Sequence, residues 1–191
     1  RSSDLFIDFL NAASSRQQRG DTLRATYTIG GRNIVACQGN TICQKGNIDC
    51  TGLAQRMEKH LYPNPYHLKM VIAGCPNDCA KANMADFGIL GIAKIHFNAE
   101  RCIGCGACVK ACSHHAVDCL AIKHGKAVKE ESKCIGCGEC VLACPTLAWQ
   151  RDPKQLYMVK LGGRTSKKTP RTGKLFLNWV TEEVLHAVIK N

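Results

Sequence analysis

The sequence predicts an α+β fold that carries iron–sulfur chemistry. Three observations lead there. Short apolar strand patterns alternate with two stretches of helical periodicity. One cysteine motif occurs twice, shifted by 32 residues. The chain has 14 cysteines in 191 residues, all but Cys50 and Cys119 in short regular motifs.

The segment Asp4–Leu10 reads as one helical turn or a short strand, and Ser14–Asp21 as a polar loop. A strand is expected at Thr26–Ile29, ending at Gly30-Gly31. From Asn47 to Tyr62 the pattern is helical. Leu53, Met57 and Leu61 recur every four residues and share one face, and Pro63 and Pro65 end the run. His67–Ile72 then alternates as a short strand that stops at Gly74, and Phe87–Ile92 is a second, glycine-marked strand. Leu156–Leu161 reads as a strand running into Gly162-Gly163, followed by a basic loop from Arg164 to Lys174. A closing helix is expected over Trp179–Ile189, where Val180, Val184, Leu185, Val188 and Ile189 stand at helical spacing.

Composition narrows the function classes. No apolar run reaches the roughly 18 residues that suggest a membrane span, and no export signature opens the chain. A cytoplasmic protein is therefore expected, in which clustered cysteines bind metal rather than form disulfides. The formal net charge is +11, which by itself suggests nucleic acid. Three oxidised [4Fe–4S] clusters with four thiolates each would offset about six of those charges. No stripe of interleaved aromatic and basic residues is present, so no nucleic-acid partner is expected.

Each repeat unit reads C-x2-C-x2-C-x3-C: Cys102, Cys105, Cys108 and Cys112, then Cys134, Cys137, Cys140 and Cys144. Three closely spaced thiolates wrap three corners of a cubane, and the fourth cysteine reaches across to the other cluster. One cluster is thus assigned to Cys102, Cys105, Cys108 and Cys144, and a second to Cys134, Cys137, Cys140 and Cys112. Zinc motifs rarely repeat this spacing. The intervening glycines allow tight turns that aim N–H groups at sulfur. Pro145 follows the last cysteine of the second unit, whereas Ser113 takes that place in the first. His114 and His115 are expected at the surface, because the repeat already supplies eight ligands. Cys50 and Cys119 are expected to be small buried apolar residues.

A further set reads Cys37-x5-Cys43 and, after 31 intervening residues, Cys75-x3-Cys79. The last pair presents two thiols about one helical turn apart. On spacing alone the four could close a third cubane or hold zinc or a single iron.

Gly31–Asn40, Cys43 and Gly74-Cys75-Pro76-Asn77-Asp78-Cys79 resemble the signature of sirohaem-dependent sulfite and nitrite reductases. The resemblance implies that Cys37, Cys43, Cys75 and Cys79 bind a [4Fe–4S] cluster, with Cys79 also bridging to the sirohaem iron. Leu161-Gly162-Gly163-Arg164 is similar to the strand and glycine turn that packs on the macrocycle. The implied organisation is a sirohaem reductase half-domain with an inserted two-cluster ferredoxin-like domain. Residues 1–28 would be an N-terminal segment, mobile or a remnant. Residues 29–93 would form the first part of the sirohaem/[4Fe–4S] domain and 94–153 the insertion. Residues 154–191 would form a second part, expected to be truncated.

The same resemblance places Arg32 and Lys69 around the anion that binds the distal side of the iron. Guanidinium suits an oxyanion because its donors form a rigid fork. His67 falls where relatives often carry a second lysine, and imidazole titrates near neutrality. On a strand it shares a face with Lys69, and a plain solvated strand face is the alternative for both. Asn77, Lys81, Asn83 and Arg164 are candidates for the carboxylates of sirohaem, or else helix caps and surface groups. The implied function is one part of an anaerobic sulfite-reducing enzyme, with three [4Fe–4S] clusters and sirohaem. It would be fed by an iron–sulfur subunit and by a flavin subunit using a nicotinamide cofactor. A sirohaem nitrite reductase shares every motif, and a polyferredoxin-like carrier without catalysis is the third reading.

Overall fold

A computed structural model describes residues 33–61, 68–114, 117–165 and 169–190. The strand expected at Thr26–Ile29, together with Arg32 and His67, lies outside the described residues. In chain order the elements are β1 (Asn33–Ala36), α1 (Cys50–Leu61), β2 (Lys69–Ala73), β3 (Phe87–Ile92) and β4 (Ile95–Phe97). Next come α2 (Ala107–His114), β5 (Leu120–Lys123), β6 (Lys126–Lys129), α3 (Glu139–Ala143) and β7 (Trp149–Arg151). The last are β8 (Leu156–Leu161), β9 (Lys174–Val180) and α4 (Glu182–Lys190).

Five strands form a mixed sheet in the order β1-β2-β3-β8-β9. β1, β2 and β3 run parallel; β8 is antiparallel to β3, and β9 to β8. Parallel neighbours need a crossover, and α1 supplies the one between β1 and β2. β3 is buried along its whole length, which suits its unbroken apolar sequence at the middle of the sheet.

α1 buries Cys50, Leu53, Met57 and Leu61, the face that four-residue spacing selects. They meet Met70, Ile72 and Ile89 of the parallel strands, Tyr157 and Val159 of β8, and Leu185 of α4. Arg56 Nη2 lies 3.0 Å from Glu182 Oε2, tying α1 to α4. Val71, Ala73 and Leu90 point to the opposite face of the sheet and pack with Ala82 and Ala85.

The C-terminal expectation needs correction. The helix expected over Trp179–Ile189 begins at Glu182, and Trp179 and Val180 end β9 instead. Val180 pairs with Tyr157 in the ladder, and Trp179 has φ +57°, which helical backbone excludes. Thr181 followed by Glu182 and Glu183 is the true start: acidic side chains favour the positive end of a helix. The expected basic loop is also partly ordered. Arg164 and Arg171 form an antiparallel bridge, and Lys174 already belongs to β9.

The chain leaves β3 at Ile92 and returns at Leu156, which are cross-strand partners. The intervening residues continue as a second pair, with Ile95 opposite Arg151 in β4–β7. Beyond it stand α2, the β5–β6 hairpin and α3. This region has its own core, in which Ile95, Cys108, Cys112, Cys119, Leu120 and Trp149 are buried.

Candidate metal centres and a cationic pocket

The sequence repeat is also a backbone repeat. Gly104 and Gly106 have φ of +69° and +76°, and their counterparts Gly136 and Gly138 have +68° and +78°. A side chain at any of the four would strain the loop. The turns deliver the chain into α2 and α3, which begin at equivalent positions.

Cys112, Cys134, Cys137 and Cys140 line one recess, together with Cys119, Lys129 and Glu139. This brings the fourth cysteine of the first unit to the three close cysteines of the second. Burial pushes the Cys140 thiol up to about 12 and raises Cys137 as well. Such buried thiols lose their protons to bind metal, and the bound cation supplies the balancing charge. Cys144 lies on the other side, close enough to Cys108 to act on its charge. Burial opposes ionisation of Cys144. The Thr146 hydroxyl and the N–H groups of Ala148, Thr146 and Trp149 outweigh it and hold this thiol below its usual range. The Ala148 N–H donates to Cys144 Sγ at 3.3 Å.

Cys37, Cys43, Cys75 and Cys79 stand on backbone segments that hydrogen bonds tie together. The Cys37 N–H donates to the Ile72 carbonyl at 2.8 Å, so the end of β1 is fastened to β2. The Cys43 N–H donates to the Gly39 carbonyl, and the Asn47 N–H to the Gly74 carbonyl at 2.7 Å. Gly39 sits at φ +64°, and a Cβ there would stand 2.5 Å from the Ile48 carbonyl oxygen. Burial raises the Cys75 thiol, and the charges of Cys79, Cys43 and Cys37 act on it in the same direction. Cys79 is the exposed member, open to a group outside the chain. Among the described residues, no group of three or more His, Cys, Asp or Glu side chains draws together as a single-ion site.

The two remaining cysteines are buried, as expected, but their places are informative. Burial and then the charge of Cys37 push the Cys50 thiol up to about 12. Cys119 Sγ lies 3.5 Å from Cys112 Sγ, and the Cys119 N–H donates to the same sulfur at 3.4 Å. Burial raises the Cys119 thiol too. Each thiol lies beside a candidate ligand.

Lys69 and Arg164, far apart in sequence, line one pocket of about 900 Å³ with Met84, Asp86, Gly163, Thr165 and Arg171. The Lys69 N–H donates to Asp86 Oδ2 at 3.0 Å, which fixes the start of β2. Nothing in the sequence singles out Arg171, because it lies within a uniformly basic stretch. Its Nε donates to the Gly162 carbonyl at 2.8 Å. Asn77, Lys81 and Asn83 do not line this pocket. Asn77 and Lys81 are exposed. Asn83 donates its N–H to Asp78 and accepts the Gly173 N–H on its carbonyl. Asp78 is the residue that sequence reasoning misses in this loop. It is 9 % exposed, and its carboxylate accepts the Ala82 N–H at 2.6 Å and the Asn83 N–H at 2.8 Å. Its signal is an Asn-Asp pair at a turn.

The donor sets suit the groups in question. Twelve thiols in three sets of four match the soft ligands of iron–sulfur clusters. Three cations around one pocket suit a carboxylate-bearing macrocycle.

The sequence matches the nitrite and sulphite reductase 4Fe–4S domain over residues 28–191. It is 76% identical over 171 residues, 90% of this chain and 51% of the relative, to one of the subunits of anaerobic sulfite reductase from Salmonella typhimurium. A coenzyme F420-dependent sulfite reductase of Methanocaldococcus jannaschii is 39% identical over 89 residues, 46% of this chain and 14% of that protein. The chain spans about half the length of the Salmonella relatives it matches. Among solved structures, dissimilatory sulfite reductase I shares the fold with a TM-score of 0.60 at 19% identity, covering 84% of this chain and 45% of that one. No helix among the described residues is long and apolar enough to cross a membrane. With the domain match running from residue 28 to the last residue, the chain belongs to the nitrite and sulphite reductase 4Fe–4S domain family.

Proposed function

We propose that this chain is the electron-carrying and cofactor-holding part of a sulfite reductase, with three [4Fe–4S] clusters and a sirohaem site. The observation that carries the reading is the gathering of Lys69, Arg164 and Arg171 at one pocket, in a chain whose cysteines fall into three sets of four. The identity of 76% to part of a sulfite reductase favours sulfite over nitrite as substrate.

Residues 29–93 and 154–191 form the sirohaem/[4Fe–4S] half-domain in this reading, and 94–153 the inserted ferredoxin-like unit. The pairing of Ile92 with Leu156 supports it, because an insertion must leave and rejoin a sheet at neighbouring points. Cys37, Cys43, Cys75 and Cys79 hold the cluster nearest the macrocycle, with Cys79 as the shared thiolate. When bound, the sirohaem–cluster pair supplies a ligand-binding iron and short-range electrons for the six-electron conversion of sulfite to sulfide. Arg164 and Arg171 hold carboxylates of the macrocycle. Lys69 would hold the substrate anion and supply protons as its oxygens leave as water, a role the family resemblance extends to Arg32 and His67. Asn77, Lys81 and Asn83 serve the cofactor only from outside the described pocket. Electrons come from partner subunits, one iron–sulfur and one flavin-bearing.

Viologen-driven assays with sulfite and nitrite, on oxygen-free protein containing this chain, test the substrate. Sulfite turnover with weaker nitrite turnover is expected; nitrite alone would overturn the choice. Cys79→Ser is expected to uncouple sirohaem from its cluster in the Mössbauer spectrum, and intact coupling would overturn the shared thiolate.

A further inference from the structure

Three contacts join the second repeat loop to the loop after Cys43. Arg151 Nη1 donates to the carbonyls of Gln44 at 3.0 Å and Gly46 at 3.3 Å, while Nη2 reaches the Gly138 carbonyl at 3.5 Å. Asn47 Nδ2 donates to the Gly91 carbonyl at 3.2 Å and the Gly136 carbonyl at 3.1 Å. Lys45 Nζ lies 2.9 Å from Glu139 Oε1. Gly136, Gly138 and Glu139 all stand between Cys134 and Cys140. Gln44, Lys45, Gly46 and Asn47 directly follow Cys43. The first repeat loop is placed differently: Cys105 is exposed and Ile103 is 68% exposed. The geometry thus orders the three thiol sets, with the Cys102 set outermost, the Cys112/Cys134 set in the middle and the Cys37/Cys75 set innermost.

The middle set has a guanidinium beside its loop, as the outer set has Lys126, whose Nζ donates to the Ala99 and Cys102 carbonyls at 2.9 and 2.6 Å. Arg151 lies against Gly138, where a Cβ would meet Nε at 2.5 Å. Its Nη1 and Nη2 hydrogen bonds go to backbone carbonyls, so they leave its charge uncancelled. Arg151 Nε is buried and finds no acceptor among the described residues. Lys45, by contrast, is matched by Glu139.

We propose that Arg151 is a positioning and tuning residue for electron transfer. With Asn47 it locks the middle cluster loop onto the innermost one, and its charge raises the potential of the middle cluster. This rests on the cluster assignments proposed above. Reduction adds one negative charge to a cluster, and a fixed cation beside it stabilises that state and raises the potential. Clusters held at the three sets would pass single electrons from a low-potential one-electron donor, each oxidised by one electron as the next is reduced by one, and no proton moves.

The test is a redox titration with dithionite, followed by electron paramagnetic resonance, on oxygen-free protein with its clusters in place. In Arg151→Met, one cluster is expected to lose at least tenfold in electron occupancy relative to the others, about 59 mV for one electron. Arg151→Lys should recover most of that loss, which a purely structural role does not predict. Unmoved midpoints in Arg151→Met with iron retained would overturn the proposal. If Arg151→Met sheds iron, Arg151→Gln decides: it keeps an amide donor and removes the charge, so the same cluster should again drop, and an unchanged midpoint overturns the proposal. An iron count near four in the wild-type protein would overturn the cluster assignment itself, an outcome distinct from an unmoved midpoint.

Discussion

Asp78→Ala removes a carboxylate that braces the loop between Cys75 and Cys79. Two backbone donors lose their acceptor, the N–H groups of Ala82 at 2.6 Å and Asn83 at 2.8 Å. Hydrogen bonds to a charged group contribute about 1.5–3 kcal/mol each, so the pair amounts to about 3–6 kcal/mol. Asp78 also sits at φ +52°, where Asp and Asn are tolerated better than Ala. Asp78→Asn keeps that tolerance and one acceptor, and should lose about half as much. For a chain of this size each kcal/mol shifts Tm by about 2–4 °C, so Asp78→Ala should melt about 6–24 °C lower. The assay is circular dichroism on oxygen-free protein at one scan rate, with visible absorbance recorded in parallel. Since the braced turn carries Cys79, cluster absorbance should bleach before the helices melt. A Tm change under about 3 °C with intact absorbance would refute the bracing role.

Further outcomes follow from the same contacts. Met57→Ala empties a fully buried position between α1 and the sheet and should cost about 2–5 kcal/mol, read from urea midpoints. The double variant Arg164→Met/Arg171→Met should lose sirohaem absorbance while keeping iron–sulfur absorbance, because the pocket holds both guanidinium groups but no cluster cysteine. Arg56 holds the Glu182 carboxyl below its usual range, against burial and with His186 and Tyr157 assisting. A depressed folded value means this stabilisation is complete above the unfolded pKa of about 4.3 and fades as pH falls through the folded one. Wild-type protein should therefore lose more stability between pH 6 and pH 3 than Arg56→Met, and equal losses would count against the pair.

Much of the fold was legible where one physical signal ruled a segment. The expected strands Phe87–Ile92 and Leu156–Leu161 match β3 and β8 residue for residue, since β3 is buried throughout and β8 is apolar but for Lys160. Leu53, Met57 and Leu61 marked the inner face of α1 because nothing else competes at that spacing. The Trp179–Ile189 expectation failed where two periods abut: apolar residues at the end of β9 continued by chance into the stripe of α4. Leu185 is fully buried there, while Val184 is 38% exposed, so only part of the apparent stripe is core. The repeat was readable because its spacing is local, and the fold places Cys112 in one recess with Cys134, Cys137 and Cys140. Lys69 and Arg164 were found through family resemblance, and the fold brings them to one pocket. Asp78, Asn47, Arg151 and Arg171 were not readable, since their roles consist of backbone carbonyls and N–H groups that only the folded chain supplies. Arg151 and Gln44 are 107 residues apart in sequence, and no periodicity links them.

The central claim is that Cys37, Cys43, Cys75 and Cys79 hold a third cubane beside the two on the repeat. Acid-labile sulfide counted per chain in protein purified without oxygen tests it directly, since zinc or a lone iron brings no sulfide. The account predicts about twelve sulfides, with about thirteen irons when sirohaem is bound. About eight sulfides in fully loaded protein would contradict it and leave a two-cluster electron carrier.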